Sequence, residues 1–202
     1  MKEGLAYVWT RGHLLAAMSL ACLVNMTAFP LLMGLMPYVA REIYHTDQTG
    51  LGYLAASFAA GALCGSLSMT RLSLKVRPAR AMLVFCALWY CAIIVFARMP
   101  SFASACAMLI VTGFVQSMGM VSMSTMILRS TGAEFRGRVM GIRMLAIYSL
   151  PIGLVVAGQL VPRIGYAATA TLYCILGLTL TAAIALRWRK HVWRVDAPAN
   201  AR

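Results

Sequence analysis

Residues 102–128 read FASACAMLIVTGFVQSMGMVSMSTMIL and contain no Asp, Glu, Lys, Arg or His. About 20 helical residues cross a hydrocarbon core of roughly 30 Å, so this stretch alone can span a bilayer. Five further apolar runs follow the same logic on either side of it: Leu14–Ala40, Leu51–Thr70, Ala81–Ala97, Val139–Val161 and Ala167–Trp188. Within lipid a helix satisfies its own backbone N–H and C=O groups, and an open sheet edge does not, so each run predicts a helix. The expected fold is an all-α integral membrane protein, with six transmembrane helices over residues 14–188. A segment of residues 1–13 precedes them and a tail of residues 189–202 follows.

Composition agrees. Hydrophobic residues make up 61% of the 202 and charged ones 11%, against about a quarter charged in a soluble domain. The mean hydropathy is +0.80. A net charge of +13 would suit nucleic-acid binding if it formed a basic face. Here the 18 Lys and Arg fall almost entirely between apolar runs or at the chain ends, which is the pattern of topology signals and excludes a nucleic-acid partner. The first run is too long for a signal-peptide core and lacks a small-residue cleavage site, so it is expected to remain in the mature protein.

Orientation follows from the short loops. Arg71, Lys75, Arg77 and Arg80 follow the second run without an acid, and Arg129, Arg136 and Arg138 follow the fourth beside Glu134, with Arg143 one turn into the next helix. The tail adds Arg187, Arg189, Lys190 and Arg194, whereas Arg41 is offset by Glu42 and Asp47, and Arg98 and Arg163 stand alone. Both termini and both basic loops are therefore expected on the cytoplasmic side of a cell membrane. Trp9, Trp188 and Trp193 fall near that boundary, and Tyr38, Tyr44 and Tyr53 near the other, as interfacial anchors do; Trp89 and Tyr90 lie mid-run and read as packing residues.

Two segments carry a family resemblance. MKEGLAYVWTRGH, residues 1–13, resembles the segment that opens the second half of enterobactin-exporter-like members of the major facilitator superfamily, where Glu-Gly-Leu-x-Tyr-Val is frequent. RSTGAEFRGRVMG, residues 129–141, is similar to their acid-x-Arg-Gly-Arg-Val-x-Gly turn. GSLSMTRLSLKVR, residues 65–77, keeps the basic residues of the superfamily's loop after a second helix and lacks its Asp. The resemblance implies one half-bundle of that fold, a 3+3 repeat. It also implies export of a small apolar or siderophore-like molecule in a multidrug-efflux-like manner.

Candidate site residues lie on two helical faces. At 100° per residue, Gly113, Gln116, Ser117, Met120 and Ser124 of the fourth run share an arc of about 100°, and Met18, Cys22, Asn25 and Phe29 share a face of the first. Polar side chains avoid lipid, so these stripes face either neighbouring helices or a water-filled cavity. The resemblance places the first and fourth helices of a half around the central cavity, which makes Cys22, Asn25, Phe29, Gln116, Ser117, Met120 and Ser124 substrate-cavity candidates. Tyr148, ahead of Pro151, is another, with packing the favoured role. Arg71, Lys75, Arg77, Arg80, Glu134, Arg136, Arg138 and Arg143 are topology determinants or charges of a cytoplasmic gate. Glu134 and Arg138 have the spacing of a helical ion pair.

Catalysis and cofactors are not expected. His13, His45 and His191 lie far apart, and six cysteines within apolar runs form no metal-ligand spacing and read as small buried hydrophobes. The 15 methionines suit core filling better than a copper path, which would need His or Cys beside the thioethers. None of the five acids falls mid-run, so a proton-coupling carboxylate would have to come from elsewhere. Six helices supply one of the two bundles that alternating access requires. The expected partners are the lipid bilayer, a small-molecule substrate and a second six-helix half or another copy of the chain. The competing reading is a non-transporting scaffold or a truncated transporter remnant.

Overall fold

The computed structural model describes residues 7–72 and 77–189. Among them, six helices are long and apolar enough to cross a membrane: α1 Gly12–Ile43, α2 Gln48–Met69, α3 Pro78–Phe96, α4 Phe102–Ser130, α5 Ala133–Ile164 and α6 Tyr166–Arg187. Several begin or end beyond the apolar runs, because a helix stops at its caps and not where its hydropathy falls. At the start of α2, the Asp47 carboxylate accepts the Gly50 N–H at 3.0 Å. At the start of α4, Ser101 and Ser104 cap each other's backbone N–H groups at 3.3 and 3.2 Å. α5 hands over to α6 through Gly165, whose φ of 81° suits a residue without Cβ.

Two helices are interrupted. Pro30 and Pro37 each remove a backbone donor from α1, and the chain passes them in widened π-helical turns, Pro30–Gly34 and Val39–Ile43. α5 is a helix over Arg136–Leu145, tightens into a 3-10 turn at Ala146–Ser149 and resumes over Leu150–Ile164 with Pro151 in its first turn. Side chains of neighbouring helices supply donors at these irregular places. The Tyr166 hydroxyl donates to the Leu31 carbonyl at 3.2 Å, Tyr173 to Gly153 at 2.8 Å, and Ser149 to Cys22 at 3.0 Å.

Packing relates the two halves of the bundle. α2 lies along α4 as α5 lies along α1, α3 packs on α4 as α6 packs on α1, and α3 meets α6. Exchanging α1–α3 for α4–α6 maps the first four of these contacts onto one another and the α3–α6 contact onto itself. Glycines set the tightest of them: a Cβ at Gly61 would overlap the Ile110 carbonyl, and one at Gly113 the Phe58 carbonyl. Trp89 and Tyr90 are fully buried in α3. The Tyr90 hydroxyl hydrogen-bonds Thr27 at 2.7 Å, and the Trp89 ring meets Phe29 edge-on at 5.0 Å.

The cysteines depart from expectation. Cys86 and Cys174 are buried, Cys106 is half-buried, and Cys22, Cys64 and Cys91 are exposed. An apolar run records what the solvent is, and a lipid-facing thiol is as compatible with it as a buried one.

Candidate functional site

A cavity of about 390 Å³ opens between α1, α4 and the first part of α5. Ala21, Val24, Asn25 and Phe29 form one wall, Met120 and Met123 the second, and Arg143, Met144, Ile147 and Leu150 the third. Arg143, Ile147 and Leu150 stand at i, i+4 and i+7, one helical face continued through the 3-10 turn. Met144 and Ile147 are 59% and 52% exposed, so the cavity opens on the α5 side of the bundle. Phe29 is held by the buried Trp89 behind it.

The polar groups are few. Asn25 donates to the Ala21 carbonyl of its own helix at 2.9 Å. Arg143 is half-buried and, among the described residues, is the one titratable side chain lining the cavity. Its guanidinium donates to the Ser124 hydroxyl at 2.6 Å and turns a second nitrogen to the Met120 sulfur at 4.0 Å. Ser124 in turn donates to the Met120 carbonyl at 2.9 Å. No carboxylate among the described residues pairs with Arg143: Glu42 lies beside Arg41 at 3.6 Å, Asp47 caps α2, and Glu134 is exposed in the 3-10 turn that opens α5. Among the described residues, no three of His, Cys, Asp and Glu gather to hold a metal ion.

The candidates from the sequence separate in space. Asn25, Phe29 and Met120 line this cavity, with Ser124 behind Arg143. Cys22 instead lines a groove of about 580 Å³ between α1, α5 and α6, with Met26, Ser149, Leu180 and Trp188. Ser117 is buried at the α2 contact, 3.1 Å from where a Cβ on Gly65 would stand. Gln116 is half-buried outside the cavity lining, and Tyr148 is 74% exposed and also outside it.

The basic candidates divide similarly. Arg71 and Lys75 lie outside the described side chains. Arg77 is exposed ahead of α3 and Arg80 half-buried in its first turn. Glu134 sits in a 3-10 turn and not in the α-helix that carries Arg138. Arg136 donates to the Thr131 carbonyl at 3.3 Å. Arg138 lies 5.5 Å over the Phe135 ring, which stacks on Tyr7 at 4.5 Å, with Arg11 3.5 Å over Tyr7. This stack ties the N-terminal segment to the 3-10 turn that opens α5. Arg143 stands apart from all of these, inside the cavity. The sequence signal for it was the i, i+4, i+7 stripe of Arg143 with two large apolar residues, a pattern of a helix face and not of a loop.

Against this geometry, the family model of the Major Facilitator Superfamily matches residues 18–201. The chain belongs to the major facilitator superfamily. Its six apolar helices and the packing of one three-helix set against the other fit a half-bundle of that fold. It is thus a multi-pass membrane protein of a superfamily of transporters. A search of curated proteins returns no match.

Proposed function

We propose that this chain is one half of a secondary transporter, moving a small, largely apolar molecule outward by alternating access together with another six-helix half. The observation that carries the reading is the cavity between α1, α4 and α5, walled by Phe29, methionines and Ile147 and open on the side of α5. In alternating access the substrate sits between two bundles that rock about it, so a site at the open face of one bundle is placed for a second to close over it. Flexible, polarizable methionines suit a pocket that accepts apolar molecules of varied shape. An enterobactin-exporter-like or multidrug-efflux-like substrate fits those walls. The excess of Arg and Lys in the loops after α2 and α4 supports an orientation with both termini cytoplasmic. The stack of Arg11, Tyr7, Phe135 and Arg138 supports a gating element on that side, the charged turn at the start of α5 moving with the N-terminal segment.

Flux tests this directly. Cells lacking their own efflux pumps are loaded with a neutral lipophilic dye and express this chain alone, a second six-helix half alone, or both. Faster dye loss is expected only with both, and a Phe29→Ala change in the cavity wall should abolish the gain. Identical dye loss in every case, with the chain alone a stable monomer, would reject transport in favour of a scaffold.

A further inference from the structure

Among the described residues, the cation in the cavity has no counter-charge. Arg143 lies seven residues past Arg136, about 10 Å along α5 at 1.5 Å per residue. Its side chain does not run back to the charged turn. It crosses to α4 and donates to Ser124 at 2.6 Å, with the Met120 sulfur as its other neighbour at 4.0 Å. A neutral hydroxyl and a thioether leave most of the five guanidinium donors to the cavity. Among the described residues the walls offer them no charged acceptor: Asn25 donates its amide N–H to its own helix and presents only a neutral carbonyl oxygen, and the remaining lining residues are apolar. A cation kept in apolar surroundings is costly and marks a ligand or pathway by default. The planar fork of a guanidinium matches carboxylate-like anions, which it can take bidentately.

We propose that Arg143 is an anion-binding residue of this cavity, and that the molecule bound there is an amphiphilic anion, an apolar body bearing one carboxylate-like group. The inference rests on the transporter reading and narrows its substrate class. The apolar body lies against Phe29 and Ile147, and the acidic group faces α5 at Arg143. The Ser124 bond anchors the guanidinium at the α4 wall of the cavity, which makes Ser124 a positioning residue. Cavities of about 300 to 1,000 Å³ take small organic ligands, and about 390 Å³ suits a bicyclic aromatic acid.

Three probes of one shape and different charge separate the possibilities: naphthoate, naphthol and naphthylmethylammonium, measured by equilibrium dialysis against the purified full chain in lipid nanodiscs, with empty discs subtracted. The expected order is naphthoate over naphthol by about tenfold, the worth of one charge-assisted pair, with naphthylmethylammonium weakest. Arg143→Met should bring naphthoate down to the level of naphthol while naphthol binding is unchanged, which also shows that the variant is folded. Arg143→Lys should keep part of the preference. Equal binding of naphthoate and naphthol by the unaltered chain, or an anion preference that survives Arg143→Met, overturns the inference and leaves the apolar cavity standing. Failure of all three probes to bind overturns the cavity reading with it.

Discussion

Gly153 sits where α5 crosses α1, and a Cβ there would overlap the Met26 carbonyl and stand 2.9 Å from the Pro30 ring. Pro30 has no N–H to offer that carbonyl, so the crossing joins an irregular turn to a residue with no side chain. Gly158, five residues on in the same helix, would place its Cβ in open space. The two therefore form a matched pair. Gly153→Ala should lower stability by about 1–3 kcal/mol, the usual cost of overpacking, whereas Gly158→Ala should be neutral or stabilising by up to about 1 kcal/mol through helix propensity. Thermal unfolding in detergent, followed by circular dichroism, separates them; equal losses would mean that α5 and α1 are not in this contact. Residue-level legibility in the sequence was uneven for a related reason. Gln116, Ser117, Met120 and Ser124 do share one face of α4, but Ser117 and Ser124 are about 10 Å apart along the axis. Over that length the face passes from Gly65 of α2 to Arg143 of α5. Periodicity gives the angle of a residue about its helix and says nothing of which neighbour crosses at its depth.

At the scale of elements, hydrophobic length was the decisive signal, because the thickness of the hydrocarbon core fixes how many residues a helix needs. Interruptions were only half readable. Pro30, Pro37 and Pro151 are visible in the sequence, yet whether each produces a kink, a π turn or a 3-10 turn depends on which neighbour re-satisfies the backbone, here Tyr166 for Leu31 and Tyr173 for Gly153. The start of α2 depends instead on a charge. The Asp47 carboxylate is held below its usual range chiefly by the hydrogen bond from the Gly50 N–H, with further bonds from Thr49. A carboxylate with a depressed folded-state pKa stabilises the fold fully above its unfolded value, about 3.9, and that contribution disappears as pH falls through the lower folded value. Acidification below about pH 4 should therefore fray the first turn of α2 before the rest of the bundle. Protection of the Gly50 and Leu51 amides, measured relative to their intrinsic exchange rate at each pH, should fall on acidification in the unaltered chain, and the Asp47→Asn variant should show no such pH step. Unaltered protection of Gly50 down to the pH at which the whole bundle opens would contradict the capping role.

The whole bundle is uneven in what it buries, and the unevenness follows its internal repeat. Inside the bundle, 67% of the most apolar stretch of α1 is buried, but only 28% of that of α2 and 22% of that of α5. α2 and α5 are also the pair that exchange places when the first three helices are mapped on the last three. Their outward faces carry Tyr53, Leu63 and Leu67 on α2 and Met144, Ile152 and Val155 on α5, each more than half exposed. Lipid alone could cover such faces, and so could a second half-bundle; only the latter would also roof the cavity beside Met144. The two coverings differ in what touches a side chain at the middle of each face. A tryptophan placed there by Leu63→Trp or Ile152→Trp would be quenched by bromine-labelled lipid tails if lipid is its neighbour. Leu172, 53% exposed on α6, provides the control through Leu172→Trp. With the chain alone all three should be quenched alike, after subtraction of the native tryptophans. On co-assembly with a second six-helix half, quenching at positions 63 and 152 should fall by about half or more while position 172 is unaffected, because insertion of a protein face excludes lipid from van der Waals contact. A loss of quenching at 172 in place of 63 and 152 would put the partner on the α6 side, away from the cavity, and the alternating-access geometry built on α5 would then be wrong.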